Sequence, residues 1–261
     1  MKVQFSQDTI YFRQNNWQLG RPTLVFVHGL SGSSSAWRKF EEKFSGQFNL
    51  LTFDLRGHGF SHKFSQKSDY SISKFADDLH QLFRELKIKK AILISHSFGT
   101  FVALEFLARH QNLISKAIFL SPRFAVRAKG IEKIICPLLV FGHLFPKTQP
   151  RGQIDYSKYL RTGDWNIPRM IVDTHNTSVR VFLFCLAQSY QFDRESFLSE
   201  IEIPTLLIHG RRDTIFPVEN SQKMAGKIAD SKLIILENSD HILVLNNFPE
   251  LAEAIADFVG N

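Results

Sequence analysis

Six short, almost uninterrupted apolar runs recur along this 261-residue chain: TLVFVH (23–28), LLTF (50–53), AILIS (91–95), AIFLS (117–121), TLLIH (205–209) and LIILE (233–237). Runs that do not alternate polar with apolar residues suit parallel strands covered on both faces. Helix-patterned segments lie between and after them, at 36–44, 72–86, 98–110, 219–228 and 249–258. Strand and helix in alternation predict a doubly wound α/β fold, a mostly parallel twisted sheet with helices on both faces. The N-terminal pieces VQFSQ and TIYFRQ read as an antiparallel hairpin at its edge.

The interval between residues 121 and 204 is far longer than an ordinary connection in such a fold. It carries Pro137, Pro146, Pro150 and Pro168, then a more helical stretch at 177–198. It reads as a mainly helical cap at 122–202 over the carboxyl edge of a core made of 1–121 and 203–261, although IICPLLVFG (134–142) also has strand character. A chain of this size can bury enough surface to fold without a metal or disulfide.

The segment ILISHSFGTFVALEFLARH has the most local chemistry. An apolar strand ends at Ser95, a tight turn holds Ser97, and an apolar-faced helix follows. Small residues two before and two after the serine (Ser95 and Gly99) allow the sharp turn that lifts a hydroxyl above a sheet edge and sets it beside a helix N-terminus. The same serine would also serve as a helix cap, and the segment alone leaves both readings open. A hydroxyl becomes a good nucleophile only when a base takes its proton. Of ten histidines, His241 lies just beyond the last strand, at the same sheet edge as Ser97. Asp213 follows the preceding strand at that edge, where a carboxylate would orient the imidazole. Asp213 paired with Arg211 or Arg212 is the structural alternative, and Asp240 is a rival too close in sequence to reach the ring. His28, His58 and His209 read as structural, and His96, adjacent to the serine, reads as directed away from the site. The N–H of Phe98, at the helix start, would face negative charge developing on a substrate oxygen.

Taken in order, HGLSGSSSAW (28–37), DLRGHGFS (54–61), SHSFGT (95–100), and HGRRDTIFP (209–217) with NSDHILVLNNFPE (238–250) resemble the motifs of the α/β-hydrolase fold family, serine hydrolase branch. The likeness spans nearly all of the chain except the cap. It implies a catalytic Ser97, His241 and Asp213 in the family's chain order, and Leu30 N–H as the second oxyanion donor beside Phe98. Ser95 stands where the family's elbow usually has glycine, and Thr100 where a further glycine is optional. The resemblance implies an esterase or lipase-like enzyme acting through an acyl-enzyme on a small or medium lipophilic ester. A thioesterase, a C–C hydrolase or lyase, and a non-catalytic binding protein are the alternatives. Tyr156, Tyr159, Trp165, Phe182, Phe184 and Phe192 in the cap are candidates to line an apolar acyl pocket, or to pack a cap helix.

The 25 phenylalanines fit either an aromatic core or an apolar pocket. Lysine and arginine exceed aspartate and glutamate by 32 to 25, but the excess is dispersed, which disfavours nucleic acid as a partner. Its densest cluster, Arg84, Lys87, Lys89 and Lys90, reads as the solvated end of a helix. No zinc-protease, P-loop or dinucleotide fingerprint occurs, so neither metal nor cofactor is expected. Cys136 and Cys185 read as buried free thiols. With no signal-like leader or 18-residue apolar run, the expectation is a cytoplasmic monomer or small homo-oligomer taking a small-molecule acyl substrate, without stable membrane insertion.

Overall fold

A computed structural model of the protein describes residues 1–6, 9–126, 139–150 and 152–260. Eight strands form one sheet: β1 (Lys2–Ser6), β2 (Ile10–Gln14), β3 (Thr23–Val27), β4 (Asn49–Phe53), β5 (Ala91–His96), β6 (Ile114–Leu120), β7 (Thr205–Gly210) and β8 (Ser231–Leu236), in the spatial order β1-β2-β4-β3-β5-β6-β7-β8. The N-terminal hairpin is antiparallel and adds antiparallel to β4, while all other pairings are parallel. β6 starts three residues before its apolar run. Lys116, which breaks the run, stays in the strand because its ammonium reaches past the sheet edge to the Phe258 carbonyl, 2.7 Å away.

Alternation along each strand feeds two separate cores. Val25 and Val27 of β3 face one, Leu24 and Phe26 the other. The first is closed by α2 (Ile72–Glu85), α3 (Phe98–His110) and α6 (Glu219–Ala225), the second by α1 (Arg38–Phe44) and α8 (Phe248–Gly260). In α2, Ile72, Phe75, Ala76, Leu79, Leu82 and Phe83 are buried at the three- and four-residue spacing of one helix face. Arg84 is exposed in the last turn of that helix, and Lys87, Lys89 and Lys90 are exposed just beyond it. Burial runs the whole way around α3 from Phe98 to Leu107. Phenylalanine serves the cores: Phe26, Phe40, Phe53, Phe75, Phe101 and Phe119 are fully buried, each stabilising the fold by roughly 1.5–3 kcal/mol.

The segment between β6 and β7 is mainly helical among its described residues. It contains α4 (Ile167–Thr177) and α5 (Val179–Ser189), with 3₁₀ turns at Leu139–Leu144, Tyr156–Tyr159 and Ser196–Glu200. Helix therefore begins ten residues earlier than the sequence pattern suggests, and breaks at Ser178, whose φ of 78° departs from helical geometry. Asn166 caps α4 and Pro168 sits in its first turn, a start signal hidden in a proline-rich stretch. Val181, Phe184 and Cys185 of α5 join the α2/α3 core, so sheet and insertion share one apolar interior. Part of the 134–142 run lies outside the described residues, and its end forms the first of those 3₁₀ turns. Cys185 is a buried free thiol and Cys136 lies outside the described residues. Among the described residues, no helix is long and apolar enough to cross a membrane.

A close approach of α3 to β3 helps to position the turn that carries Ser97. A Cβ at Gly99 would lie 2.7 Å from both the Val27 and His28 carbonyl oxygens. Gly99→Ala should therefore push α3 off β3 and destabilise the protein by about 2 kcal/mol or more, read from urea unfolding; an unchanged midpoint would show that this approach is not tight.

Candidate active site

Ser97 joins β5 to α3 in a left-handed conformation, φ 53° and ψ −120°, which side chains other than glycine rarely adopt. Its N–H is anchored to the Leu120 carbonyl of β6 at 3.0 Å. Crowding around it explains the small neighbours: a Cβ at Gly29 would lie 3.2 Å from the Ser97 Cβ and 3.1 Å from His96 Nδ1. Ser95 is fully buried beneath the turn, and its hydroxyl has no partner.

His241 stands in the loop between β8 and the one-turn helix α7 (Leu243–Asn246). Its Nε2 is 2.7 Å from Ser97 Oγ and its Nδ1 is 2.7 Å from Asp213 Oδ2. With Nδ1–H donating to the carboxylate, the Nε2 lone pair is left to accept the serine proton. Asp213 Oδ1 accepts the N–H groups of Ile215 and Phe216 at 2.9 and 2.7 Å, which fixes the carboxylate's rotation. Its other oxygen is also 3.1 Å from His209 Nε2. Burial by itself would raise the Asp213 pKa, but hydrogen bonds from His209 and His241 outweigh it and hold the carboxyl well below the ordinary range.

The other candidates fall outside this chain of bonds. Asp240 accepts from Ile242 N–H and Asn246 instead, while Arg211 pairs with Glu237 and Arg212 with Asn238. His28 is held neutral by burial, accepting Leu55 N–H at Nε2 and donating from Nδ1 to the Gly29 carbonyl. His58 donates to the Arg56 carbonyl. Contrary to the sequence expectation, His96 points toward the site and lines its cavity, because its Nε2 donates to the His241 carbonyl at 2.8 Å. Burial and the neighbouring His241 push its pKa down to about 3, so it braces the loop as a neutral ring.

Ser97 and His241 open onto a cavity of about 80 Å³, room for on the order of five water-sized positions. Leu30 lines it, and Phe98 follows Ser97 at the first turn of α3, where helix N–H groups lack intrahelical partners. Apolar lining comes from Ala36, Trp37, Ile242, Val244 and Leu245. The insertion contributes Tyr156, Arg169 and Asp173, bonded to one another: Tyr156 O–H donates to Asp173 Oδ1 at 2.8 Å, and Arg169 Nη1 to Oδ2 at 3.0 Å.

Of the six aromatic pocket candidates, Tyr156 alone lines this cavity. Tyr159 borders a separate surface cavity with Ile171 and Val172. Trp165 is 63% exposed and donates its indole N–H to Thr214 Oγ1. Phe182 is half-buried on α5, Phe184 packs on Tyr70, and Phe192 packs on Phe101. Helical spacing shows that α5 has an apolar face but not what that face covers, and it covers the sheet's core. The sequence reading missed Arg169 and Asp173 because a charged pair four residues apart looks like ordinary helix surface. It also missed Asp164, a buried carboxylate that accepts the His241 backbone N–H at 2.7 Å.

Comparison with known proteins adds the following. A family model described as "alpha/beta hydrolase fold" matches residues 22–139 and 139–248. The AB hydrolase superfamily protein YisY of Bacillus subtilis is 26% identical, over 92% of this chain and 91% of its own. Monoacylglycerol lipase ABHD6 of Bos taurus is 23% identical, over 92% of this chain and 76% of its own. Among solved structures, the enol-lactonase of Burkholderia xenovorans superposes with a TM-score of 0.77 at 21% identity, covering 97% of this chain and 96% of that one.

Burial pushes the Asp173 pKa up to about 6, with Tyr156 and Arg169 pulling it partly back. A carboxyl raised on folding favours the native state below its unfolded pKa, and that contribution is lost as pH rises through the folded value. Asp173→Asn has no proton to lose, so the difference in Tm, variant minus wild type, should become more positive between pH 4 and pH 7. A difference independent of pH would contradict the assignment.

Proposed function

We propose, from the premise that this chain belongs to the alpha/beta-hydrolase fold family, that it is a serine hydrolase cleaving small carboxylic esters through Ser97, His241 and Asp213. The observation that carries this reading is the unbroken hydrogen-bond chain from Ser97 Oγ through both ring nitrogens of His241 to Asp213 Oδ2, each link 2.7 Å. A capping or packing serine would have no need of a base oriented in this way.

In the proposed reaction Ser97 Oγ attacks the ester carbonyl carbon while its proton passes to His241 Nε2. Asp213 stabilises the imidazolium, and the N–H groups of Phe98 and Leu30 receive the oxyanion. His241 then protonates the departing alcohol, leaving an acyl group on Ser97. A water molecule deprotonated by His241 attacks that acyl carbon, and Ser97 regains its proton as the acid leaves.

Cavity size favours the small end of the expected substrate range. An 80 Å³ space with a polar Tyr156–Asp173–Arg169 group on the insertion's side suits a short acyl chain better than a long one. Lactones are cyclic esters of compact shape, and the structural neighbour that is an enol-lactonase makes them a natural part of the substrate panel.

Initial rates on a chain-length series of esters, with a γ-lactone included, test this reading. Acetyl to butyryl esters should be turned over with kcat/KM at least about tenfold above octanoyl esters. Ser97→Ala, His241→Ala and Asp213→Asn should each lower kcat by roughly 10³-fold or more. Turnover that survives in Ser97→Ala would remove the nucleophile assignment, and a preference for long chains would remove the size assignment.

A further inference from the structure

Asp164 belongs to the insertion, yet its carboxylate bonds to both loops that carry the His241–Asp213 pair. Oδ1 accepts the N–H of His241 itself at 2.7 Å. Oδ2 accepts the N–H of Thr214, next to Asp213, at 2.9 Å and the Thr214 hydroxyl at 2.6 Å. These three donors come from residues 50 and 77 positions away in sequence, and the residue that gathers them is buried.

We propose that Asp164 is a positioning residue for catalysis: the insertion supplies a carboxylate clamp that holds the histidine loop against the acid loop and so keeps Ser97, His241 and Asp213 in line. This rests on the triad reading given above. The His241 N–H lies in an irregular loop, where no strand or helix partner is available to it, so its position depends on what accepts that N–H. Charge-assisted bonds to a carboxylate are among the stronger hydrogen bonds, and two of the three go to backbone. Two loops joined through one rigid carboxylate cannot shift independently. A displacement of about 1 Å between acid and base is enough to lower turnover on the order of a hundredfold.

The clamp is itself tied down. Arg169 Nη2 donates to the Asp164 carbonyl at 2.7 Å, and Trp165 donates its indole N–H to the same Thr214 hydroxyl that Asp164 holds. Asn246 of α7, in the histidine loop, accepts Arg161 N–H at 2.8 Å and donates to the Thr162 carbonyl at 2.9 Å. The irregular stretch 161–166 is thereby stitched at several points to the loops that carry His241 and Asp213, and docking of this part of the insertion becomes a condition of activity.

The decisive variant is Asp164→Asn, which keeps the shape but can accept at one oxygen only. Its amide N–H₂ must then face either the His241 N–H or the Thr214 donors. Four readouts are taken on wild type and variant: the Tm, the kinetics on a short-chain ester, the His241 Nδ1–H proton resonance, and the rate at which a fluorophosphonate labels Ser97. The last needs no knowledge of the substrate: Ser97 Oγ bonds to phosphorus, fluoride leaves, and His241 takes the proton. The expected result is labelling and kcat lowered about 30-fold, KM changed by less than about threefold, and a Tm within a few degrees. The downfield proton resonance of His241 Nδ1–H should also weaken or move upfield in the variant.

Wild-type labelling and kcat in Asp164→Asn would overturn the proposal. If wild type is neither labelled nor active, the triad reading fails separately, and the Nδ1–H resonance still decides whether Asp164 orients the pair. If Asp164→Asn does not fold, Thr214→Val removes one of the three donors and should slow labelling about threefold; an unchanged rate there also overturns the clamp.

Discussion

A serine held at φ 53° and ψ −120° is the constraint on which the rest of this structure depends. Such a conformation costs on the order of 1–3 kcal/mol and persists only where the surroundings leave no alternative. The surroundings here are β3, β5 and β6 side by side, with Ser97 N–H bonded to Leu120 and α3 pressed onto β3 at Gly99. Both cores flank these three strands, so the apolar burial that stabilises the fold also enforces the turn. Parallel pairing then delivers the other groups to the same edge. The ends of β3, β7 and β8 lead to Leu30, Asp213 and His241 because every one of those strands runs the same way.

Charge at that edge is organised by what each carboxylate accepts. Asp213 takes two backbone N–H groups on one oxygen and the His241 imidazole on the other, with His209 Nε2 3.1 Å away, and its pKa is lowered despite burial. Asp173, with a phenol and one guanidinium nitrogen as partners, is not stabilised enough to offset burial, and its pKa rises. Two carboxylates near one cavity thus have opposite tendencies, set by the number and kind of donors each receives. The imidazoles divide in the same way. Burial lowers the pKa of both His28 and His96; His28 is bonded to backbone groups through both nitrogens and His96 through Nε2, whereas both ring nitrogens of His241 meet side chains, Ser97 and Asp213.

The sheet, its edge hairpin and most helix ends were legible in the sequence because each depends on local pattern: uninterrupted apolar runs, three- and four-residue spacing, small residues around Ser97. The proximity of Ser97, His241 and Asp213 was legible for a related reason, since residues that follow parallel strands must gather at one edge. The insertion was not legible in this way. Its helix start at Asn166 lay among prolines, and its phenylalanines gave no sign of which surface they would meet. Phe184 and Phe192 turn to the core, whereas Arg169 and Asp173, which look like solvent-facing charges, turn to the cavity. The role of Asp164 depends on donors 50 and 77 residues away, and no local pattern encodes such a meeting.

The insertion therefore performs two physical tasks with two different stretches. Helix α5 and Phe192 extend the apolar core, which roots the insertion in the sheet's own hydrophobic interior. Residues 156–173 carry the polar groups, and they are fixed by hydrogen bonds to the histidine and acid loops rather than by apolar burial. A lid resting on the sheet through weak contacts could swing aside and admit substrates of many sizes. An insertion that shares its core with the sheet and its hydrogen bonds with the His241 and Asp213 loops is tethered on this side. The cavity wall formed by Tyr156, Arg169 and Asp173 is thereby tied to the loops that carry His241 and Asp213.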